Sequence, residues 1–316
     1  MPNMDHNNFN NMTDFTDAIV VKGLSKSFSN IVALKDASTV IQKGSIFGLI
    51  GSNGAGKSTF LRLLAGIYRP DCGEILIDGQ PVYENEVLKQ RIFYISDDQF
   101  FFPNSTMEEM AVYFATIYKK FSFEQFYRLT EMFRLDSSRK LSTFSKGMQK
   151  QAHIILALSC QPDFLFCDET FDGLDPVMRQ TVKRLLASAV MDNQMTPIIA
   201  SHNLRELEDI CDHIGLLHQG GVVFDRDLSS LQGDIHKVQC AFGSAKTKED
   251  FAGLDVVTYE QRGNLSILVV RGKADATDLA LKAMQPLYYE LLPLTLEEIF
   301  ITEMEVLGYD TEQLIF

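Results

Sequence analysis

The chain has 316 residues, of which 46% are apolar, and it carries a formal net charge of −13. This length and apolar content predict one large domain or two unequal ones, with enough apolar material for a proper core. The acidic balance argues against a nucleic-acid-binding protein, because such a protein presents a basic face to the phosphates. We therefore expect no nucleic acid among its partners.

The N-terminal residues and the cysteines lead us to expect a cytosolic protein. Residues 1–17 are polar and lack the pattern of a secretion signal, so we interpret them as a flexible tail. No apolar run reaches the length of about 18 residues that a membrane-spanning helix needs. The five cysteines are scattered without metal-site spacing, which is typical of reduced thiols.

A strand, a glycine-rich loop and a helix are predicted near the start of the main domain. Residues 18–28 open with β-forming side chains, and residues 44–51 form a short apolar run that ends in glycine. Residues 57–68 have helical spacing. The apolar positions expected on one face of this helix are Phe60, Leu63, Leu64 and Ile67. The glycine-rich stretch thus lies between a buried strand and a helix start.

Strands and helices continue to about residue 230. A hairpin is predicted over residues 74–82, with its turn at Asp78 and Gly79. Residues 105–157 are mostly helical in pattern, with a loop near 136–147. The later predicted strands lie in residues 163–169, 196–202 and 214–225, the last range as a pair around Gly220 and Gly221.

The pattern of predicted elements changes near residues 228–234, after which short strands and two amphipathic helices follow. This change predicts a separate small α+β module. The predicted division is a tail at 1–17, a main domain at 18–230 and an accessory domain at 231–316. Within the main domain, a helical subdomain is expected over residues from about 100 to 160.

The glycine-rich stretch has the spacing G-x-x-x-x-G-K-S of a phosphate-binding loop. Glycines let successive backbone N–H groups turn toward phosphate oxygens, and the helix that follows adds the partial positive charge of its N-terminus. Lys57 would reach the β- and γ-phosphates, Ser58 would bind Mg²⁺ and Thr59 could donate to the α-phosphate. The predicted nucleotide-binding residues of this loop are Gly51, Ser52, Asn53, Gly54, Ala55, Gly56, Lys57, Ser58 and Thr59. The alternative is a chance glycine-rich turn before a helix.

Two later strands end in residues that suit nucleotide hydrolysis. Asp168 would hold Mg²⁺ through water, and Glu169 would polarise the attacking water. His202 ends the next strand, where it could contact the γ-phosphate. The alternatives are a solvated acidic turn and a structural histidine.

In their order, these motifs resemble those of the ATP-binding subunit of an ATP-binding cassette (ABC) transporter, over about residues 18–230. Walker A alone would indicate only a P-loop NTPase; the signature segment between Walker A and Walker B separates this family from kinases and GTPases. The matching segments are Walker A at 51–59, the signature FSKGM at 144–148, Walker B with its catalytic glutamate at 164–169, the D-loop at 173–176 and the switch histidine at His202.

The resemblance implies an α/β fold, that of a P-loop NTPase of the ABC type with an antiparallel β subdomain, a helical subdomain and a small C-terminal α+β module. It implies ATP and Mg²⁺ as cofactors. It also implies an ATPase activity coupled to transport, with Lys57, Glu169 and His202 as catalytic residues. Phe28 lies where the family places an aromatic ring under adenine, although a core phenylalanine is the alternative.

The resemblance also implies partners. Two subunits, identical or different, would pack head to tail around two ATP molecules, with Ser145 and Gly147 of each facing the nucleotide of the other. ATP would hold this dimer together and hydrolysis would release it. The cycle would drive a separate transmembrane permease, so the chain is expected at the cytoplasmic face of the cell membrane.

The sequence departs from the family pattern in two places. Asp97 stands where the family usually has the glutamine of its Q-loop. Aspartate can still bind Mg²⁺ or water, so we hypothesise altered coupling instead of lost hydrolysis. The signature has Lys146 in place of a glycine and Met148 in place of a glutamine. Lys146 could help to hold the facing nucleotide, or it is a solvated surface lysine.

Other features leave alternatives open. Phe100, Phe101 and Phe102 could form a docking surface for the membrane subunit or pack within the helical subdomain. Residues 294–301 resemble, over a short stretch, the end of subunits that serve exporters. The rival functions are a non-transport cassette protein and a regulatory nucleotide-binding partner with weak hydrolysis. The transported substrate is not predictable from this chain.

Overall fold

The computed structural model describes residues 17–306, apart from the side chains of Val223, Phe224 and Gln232. The predicted flexible tail lies outside the described residues except for its last residue, and so does the predicted module beyond residue 306. The described chain forms two compact units. The first contains the residues up to Ser201 together with Gly215–Phe224, and the second contains His202–Ile214 and the residues from Asp225 onward.

Strands and α-helices alternate along the described residues. The strands are β1 (Asp17–Phe28), β2 (Ile31–Gln42), β3 (Phe47–Ile50), β4 (Cys72–Ile77), β5 (Gln80–Pro81), β6 (Ile92–Ile95), β7 (Phe164–Asp168), β8 (Thr196–Ser201), β9 (His213–His218), β10 (Gly221–Asp227), β11 (Ile235–Ala241), β12 (Asp255–Arg262), β13 (Leu265–Arg271) and β14 (Tyr288–Pro293). The α-helices are α1 (Lys57–Leu64), α2 (Glu86–Lys89), α3 (Met107–Ile117), α4 (Phe123–Met132), α5 (Lys146–Ser159), α6 (Pro176–Asn193), α7 (Leu204–Glu208), α8 (Leu228–Gly233), α9 (Ala274–Ala283) and α10 (Leu296–Val306).

The first unit contains an antiparallel sheet in the order β2-β1-β4-β5 and a six-stranded sheet in the order β10-β9-β3-β8-β7-β6. One hydrophobic cluster joins residues of both sheets and α1, among them Ile19, Leu24, Phe60, Leu64 and Phe166. The apolar faces of the two sheets are therefore buried in a common core around the helix that follows the phosphate loop.

The central strands of the larger sheet are parallel. β6 pairs with β7, β7 with β8, and β8 with β3 in this sense. Strands covered on both faces read as continuous apolar runs, which explains the short buried segments of the sequence. Because parallel strands end at the same edge, the loop after β3 and Asp168 at the end of β7 lie at one edge of the sheet.

The helical region of the first unit agrees with the predicted pattern of residues 105–157. Thr106 and Glu109 form a capping box at the start of α3, and Ser122 caps α4. Ser145 caps α5, the helix that leads from the signature segment toward β7. These side chains accept hydrogen bonds from backbone N–H groups that a helix start leaves unpaired.

The structure confirms the predicted hairpin turn, whereas the predicted length of the first helix is wrong. Asp78 and Gly79 both have positive φ, 47° and 72°, between the paired strands β4 and β5. Helix α1 ends at Leu64, and Gly66 has a φ of 64° that cannot continue a right-handed helix. Ile67 is therefore 52% exposed and does not share the buried face of α1.

The second unit contains a four-stranded antiparallel sheet in the order β12-β13-β11-β14. Its core includes Val238, Phe251, Leu268 and Leu281, the last from α9. β11, β12 and β13 agree with the short strands predicted after residues 228–234, and α9 and α10 agree with the two predicted amphipathic helices. β14 was not predicted. Helix α10 packs against α7 and α8 within this unit. Among the described residues, none of the helices has both the length and the apolar character needed to cross a membrane.

Candidate functional site

The phosphate loop connects β3 to α1, and two of its glycines are required by close backbone approaches. A Cβ atom on Gly51 would lie 2.5 Å from the carbonyl oxygen of Leu217. A Cβ on Gly56 would lie 2.5 Å from the carbonyl oxygen of Ala33, and Gly56 also has a φ of 109°. No other residue type fits either position without a shift of the neighbouring backbone.

The other loop residues differ in exposure. Asn53 and Gly54 are exposed, Ser52 and Thr59 are half-buried, and Ala55 is buried. Helix α1 has no acidic residue in its first turn, and its N-cap residue Gly56 makes no side-chain capping bond. The backbone N–H groups and the positive end of the helix dipole therefore suit an anion.

Lys57 brings its charge to the base of the loop. Its Nζ atom donates to the carbonyl oxygen of Gly51 at 2.7 Å and lies 3.2 Å from Oε1 of Glu169. The residue is only 6% exposed. A buried ammonium needs such partners because it has lost its water. The predicted phosphate-binding lysine and the predicted base therefore meet at one place in the first unit.

Ser58 and Asp168 form an oxygen-rich pair beside Lys57. The Ser58 hydroxyl donates to Oδ1 of Asp168 at 3.0 Å, and the Tyr94 hydroxyl donates to Oδ2 at 2.9 Å. Burial, and then the Asp168 carboxylate, raise the pKa of Tyr94, so its hydroxyl remains a donor. Hydroxyl and carboxylate oxygens are the ligands that Mg²⁺ prefers, and these two side chains fit that ion.

Glu169 has an unusual backbone conformation for a non-glycine residue, with a φ of 46°. Its N–H donates to the carbonyl of Ala200 at 3.0 Å. Its own carbonyl accepts from Nζ of Lys150 at 2.9 Å. The residue after β7 is thus held by β8 on one side and by helix α5 on the other.

Asp97 contacts a lysine at the place where the sequence predicted a metal ligand. Its Oδ1 atom lies 3.2 Å from Nζ of Lys150, and its side chain is 61% exposed. Its role in metal binding stays a prediction. Sequence reasoning missed Lys150 altogether, because a lysine inside a helix gives no local signal of its partners.

The signature segment lies at the surface of the first unit. Ser145 and Lys146 are exposed. The Ser145 hydroxyl oxygen accepts from the N–H of Met148 at 3.2 Å, and its own proton can still donate. A Cβ on Gly147 would lie 3.1 Å from the carbonyl oxygen of Gly173, so the signature packs closely on the D-loop segment of its own chain.

Phe28, predicted to lie under adenine, is at the end of β1 and is not a core residue. Its side chain is 39% exposed. The ring packs edge-on against Tyr68 at 5.2 Å between centroids, and Nζ of Lys26 lies 5.5 Å from its centre. Stacking of this ring on adenine stays a prediction.

His202 follows β8 directly in the chain and is the first residue of the second unit. Within that unit it lines a cavity of about 330 Å³ together with Arg205 and Glu297. Its contact with a γ-phosphate stays a prediction.

The phenylalanines after Asp97 divide between surface and interior. Phe100 is 71% exposed and Phe102 is 41% exposed. Phe101 packs against the imidazole of His153, at 5.6 Å between ring centres. Phe100 and His153 both line a cavity of about 400 Å³. Packing inside the helical region is therefore observed for Phe101, and docking of a membrane subunit on Phe100 and Phe102 stays a prediction.

His153 is buried in α5 without a hydrogen-bond partner for Nδ1 among the described residues. Its ring also packs against Phe93 at 5.6 Å between centroids. Burial lowers the pKa of His153 from 6.5 to about 4, so the side chain is neutral at pH 7.

Comparison with known proteins places these features in a family. A family model described as ABC transporter matches residues 34–172. The ABC transporter ATP-binding protein YtrB of Bacillus subtilis (strain 168) is 31% identical over 289 residues, or 90% of this chain and 97% of that protein.

Solved structures agree in fold. The structure of an ATP-binding subunit of an ABC transporter is 29% identical, with a TM-score of 0.63 over 68% of this chain and 92% of that chain. The dimeric structure of a bacterial ABC transporter cassette is 22% identical, with a TM-score of 0.61 over 66% of this chain and 98% of that chain. The predicted P-loop fold and ATPase class are thereby confirmed. This chain belongs to the family of ABC transporter ATP-binding proteins.

Proposed function

We propose that this chain binds Mg²⁺ and ATP at residues 51–59, hydrolyses the ATP with Glu169, and powers a separate membrane permease through ATP-driven dimerisation. The observation that carries the proposal is the meeting of Lys57, Ser58, Asp168 and Glu169. Lys57 lies 3.2 Å from Glu169, and Ser58 lies 3.0 Å from Asp168. A phosphate-binding cation, a metal-binding pair and a general base are thus side by side.

Each residue has a distinct part in this proposal. The loop N–H groups and Lys57 hold the phosphates, and Thr59 donates to the α-phosphate. Ser58 and Asp168 would hold Mg²⁺, which would supply positive charge next to the transferred phosphoryl group. Glu169 accepts a proton from the attacking water, and His202 donates to the γ-phosphate.

The dimer would complete each site with residues of a second subunit. Ser145 and the backbone of Gly147 are exposed or half-buried at the start of α5, where a γ-phosphate from another chain can approach. The dimeric cassette with the same fold supports this arrangement. Phe28 would stack on adenine, which is worth about 1–3 kcal/mol by analogy with base–aromatic stacking.

The proposed membrane partner would contact the exposed side chains of Phe100 and Phe102. Exposed aromatic residues grouped beside a cavity are typical of interaction sites. The chain would then act at the cytoplasmic face of the membrane, next to a permease that supplies the substrate pathway. The short resemblance of residues 294–301 to exporter subunits favours export as the direction of transport.

The substitution Glu169→Gln tests the proposal. It removes the base and keeps the size of the side chain, so single-turnover ATP hydrolysis is expected to fall by about a hundredfold or more. ATP-dependent dimerisation, measured by light scattering, should persist or increase because the nucleotide is no longer consumed.

The matched control is Glu131→Gln, at an exposed position of α4, which should hydrolyse ATP at the normal rate. Unchanged hydrolysis in Glu169→Gln would refute the role of the base. Failure of the native chain to bind Mg-ATP at millimolar concentration would refute the proposal as a whole. Recovery of rRNA or DNA in place of a membrane protein on purification would favour a non-transport cassette.

A further inference from the structure

Lys150 is a buried cation that links two functional segments far apart in the sequence. Its side chain is 11% exposed and lies in α5, the helix that begins at the signature. The ammonium contacts Oδ1 of Asp97 at 3.2 Å and donates to the carbonyl oxygen of Glu169 at 2.9 Å. Because a buried charge is costly without partners, these two contacts fix where the ammonium sits.

The hydrogen bond from Lys150 stabilises an unfavourable backbone conformation at Glu169. The φ of 46° at Glu169 belongs to the left-handed region, which a residue with a side chain rarely adopts. The N–H of Glu169 donates to the carbonyl oxygen of Ala200, and the carbonyl oxygen of Glu169 accepts from Nζ of Lys150. With both backbone groups fixed, the carboxylate is directed toward Lys57, 3.2 Å away.

The contact with Asp97 balances the charge of Lys150. Without that carboxylate, the nearly buried ammonium would lose its only ionic partner among the described residues, and its position beside the Glu169 carbonyl would no longer be fixed from two sides. Asp97 is 61% exposed and is followed closely by the exposed Phe100. A movement of this surface segment can therefore change the pairing of a buried residue that contacts Glu169.

We propose that Lys150 is a positioning residue for ATP hydrolysis, and that the Asp97–Lys150 ion pair relays the state of residues 97–102 to Glu169. This inference rests on the proposed role of Glu169 as the base. In this proposal Lys150 acts through the backbone carbonyl of Glu169, which accepts its hydrogen bond.

The test uses Lys150→Met, which keeps the aliphatic stem and removes the donor. The single-turnover rate is expected to fall about tenfold to a hundredfold, the cost of a misplaced catalytic group, while the Kd for Mg-ATP stays within about twofold. Amide hydrogen exchange over residues 168–173 should become faster. Lys150→Arg, which retains charge and donors, should recover most of the rate.

Double variants separate positioning from general damage. Lys150→Met should cause no further loss in a Glu169→Gln background, because its effect passes through that carboxylate. Asp97→Asn should lower the single-turnover rate less than Lys150→Met does. The double variant that carries both substitutions should hydrolyse ATP at the same rate as Lys150→Met alone. If Lys150→Met does not fold, Asp97→Asn and Lys150→Gln carry the same comparison.

The matched control is Lys120→Met, which breaks a 2.6 Å ion pair with Asp163 at the other end of β7. Its hydrolysis rate should be normal. A normal rate in Lys150→Met, beside a large loss in Glu169→Gln, would overturn this inference and leave the proposed function intact. Equal loss of ATP affinity and of rate would also overturn it. Normal hydrolysis in Glu169→Gln would instead refute the proposed function.

Discussion

Two buried lysines flank Glu169, and each lies close to a carboxylate. Lys57 contacts the side chain of Glu169, and Lys150 contacts Asp97 while donating to the Glu169 carbonyl. Removing one member of a buried pair costs more than the pair itself contributes, because the other charge is left without a partner. The position of Glu169 therefore depends on two ion pairs whose members come from four segments of the chain.

A buried histidine makes stability depend on pH. His153 has a pKa lowered by burial from 6.5 to about 4. Below pH 6.5 the unfolded chain takes up a proton that the folded chain does not, so stability is present above pH 6.5 and is lost as the pH falls toward 4. The shift corresponds to a loss of about 3 kcal/mol at the low end of this window.

His153→Leu should remove most of this pH dependence. Leucine cannot titrate, and it does not bury an unpaired Nδ1 atom. Between pH 7 and pH 4.5, the free energy of unfolding of the variant should therefore fall less than that of the native protein. Urea denaturation at each pH measures the difference. Parallel pH curves for the two proteins would show that the buried imidazole is not the cause.

At the residue scale, the sequence predicts those site residues whose function depends on local spacing. Gly51 to Thr59 are recognisable because the loop uses consecutive backbone groups. Lys150 was not recognisable, because its partners lie 53 and 19 residues away in the sequence. The positive φ of Glu169 gave no sequence signal either, since it is imposed by neighbouring elements.

At the element scale, short buried strands were predictable, and long, largely exposed elements were not. β3, β7 and β8 are continuous apolar runs with nearly every residue buried. Helix α6 spans 18 residues but buries only Val182, Lys183 and Leu186, so its amphipathic pattern is weak. β2 likewise alternates irregularly, with a bulged register against β1.

The start of α5 combines a structural and a proposed functional role in Ser145. Its oxygen caps the helix by accepting from Met148 at 3.2 Å. Ser145→Asp keeps a capping oxygen, whereas Ser145→Ala loses it at a cost of about 1 kcal/mol in stability. Aspartate also places a negative charge where a γ-phosphate from a second subunit is proposed to bind.

We therefore expect Ser145→Asp to keep the melting temperature and to lose ATP-dependent dimerisation in the Glu169→Gln background. Ser145→Ala should lower the melting temperature by several degrees and weaken dimerisation less than aspartate does. Differential scanning fluorimetry and light scattering give the two readouts. Normal ATP-dependent dimers of the Ser145→Asp protein would count against any contact of this residue with nucleotide.

At the scale of the whole molecule, the fold class follows from the order of the motifs. The division into two units, by contrast, does not follow from local sequence patterns alone. The second unit joins residues 202–214 to the residues after 224. No composition change marks the first of these segments, because it continues directly from the buried strand β8. Such a discontinuous unit arises from long-range packing, which a window along the sequence does not detect.

Mixing two inactive variants tests whether a complete site needs two copies of this chain. Lys57→Ala lacks the phosphate-binding lysine but has an intact signature, whereas Ser145→Asp has an intact phosphate loop. In a head-to-tail dimer of one of each, the loop of the Ser145→Asp chain faces the signature of the Lys57→Ala chain, and one complete site forms. Random pairing of equal amounts restores about a quarter of all sites. ATPase activity of the mixture should reach about that share of the native rate, while each variant alone stays near background. A mixture as inactive as its components would argue that the native partner is a different subunit, because two copies of this chain would then not build the site between them.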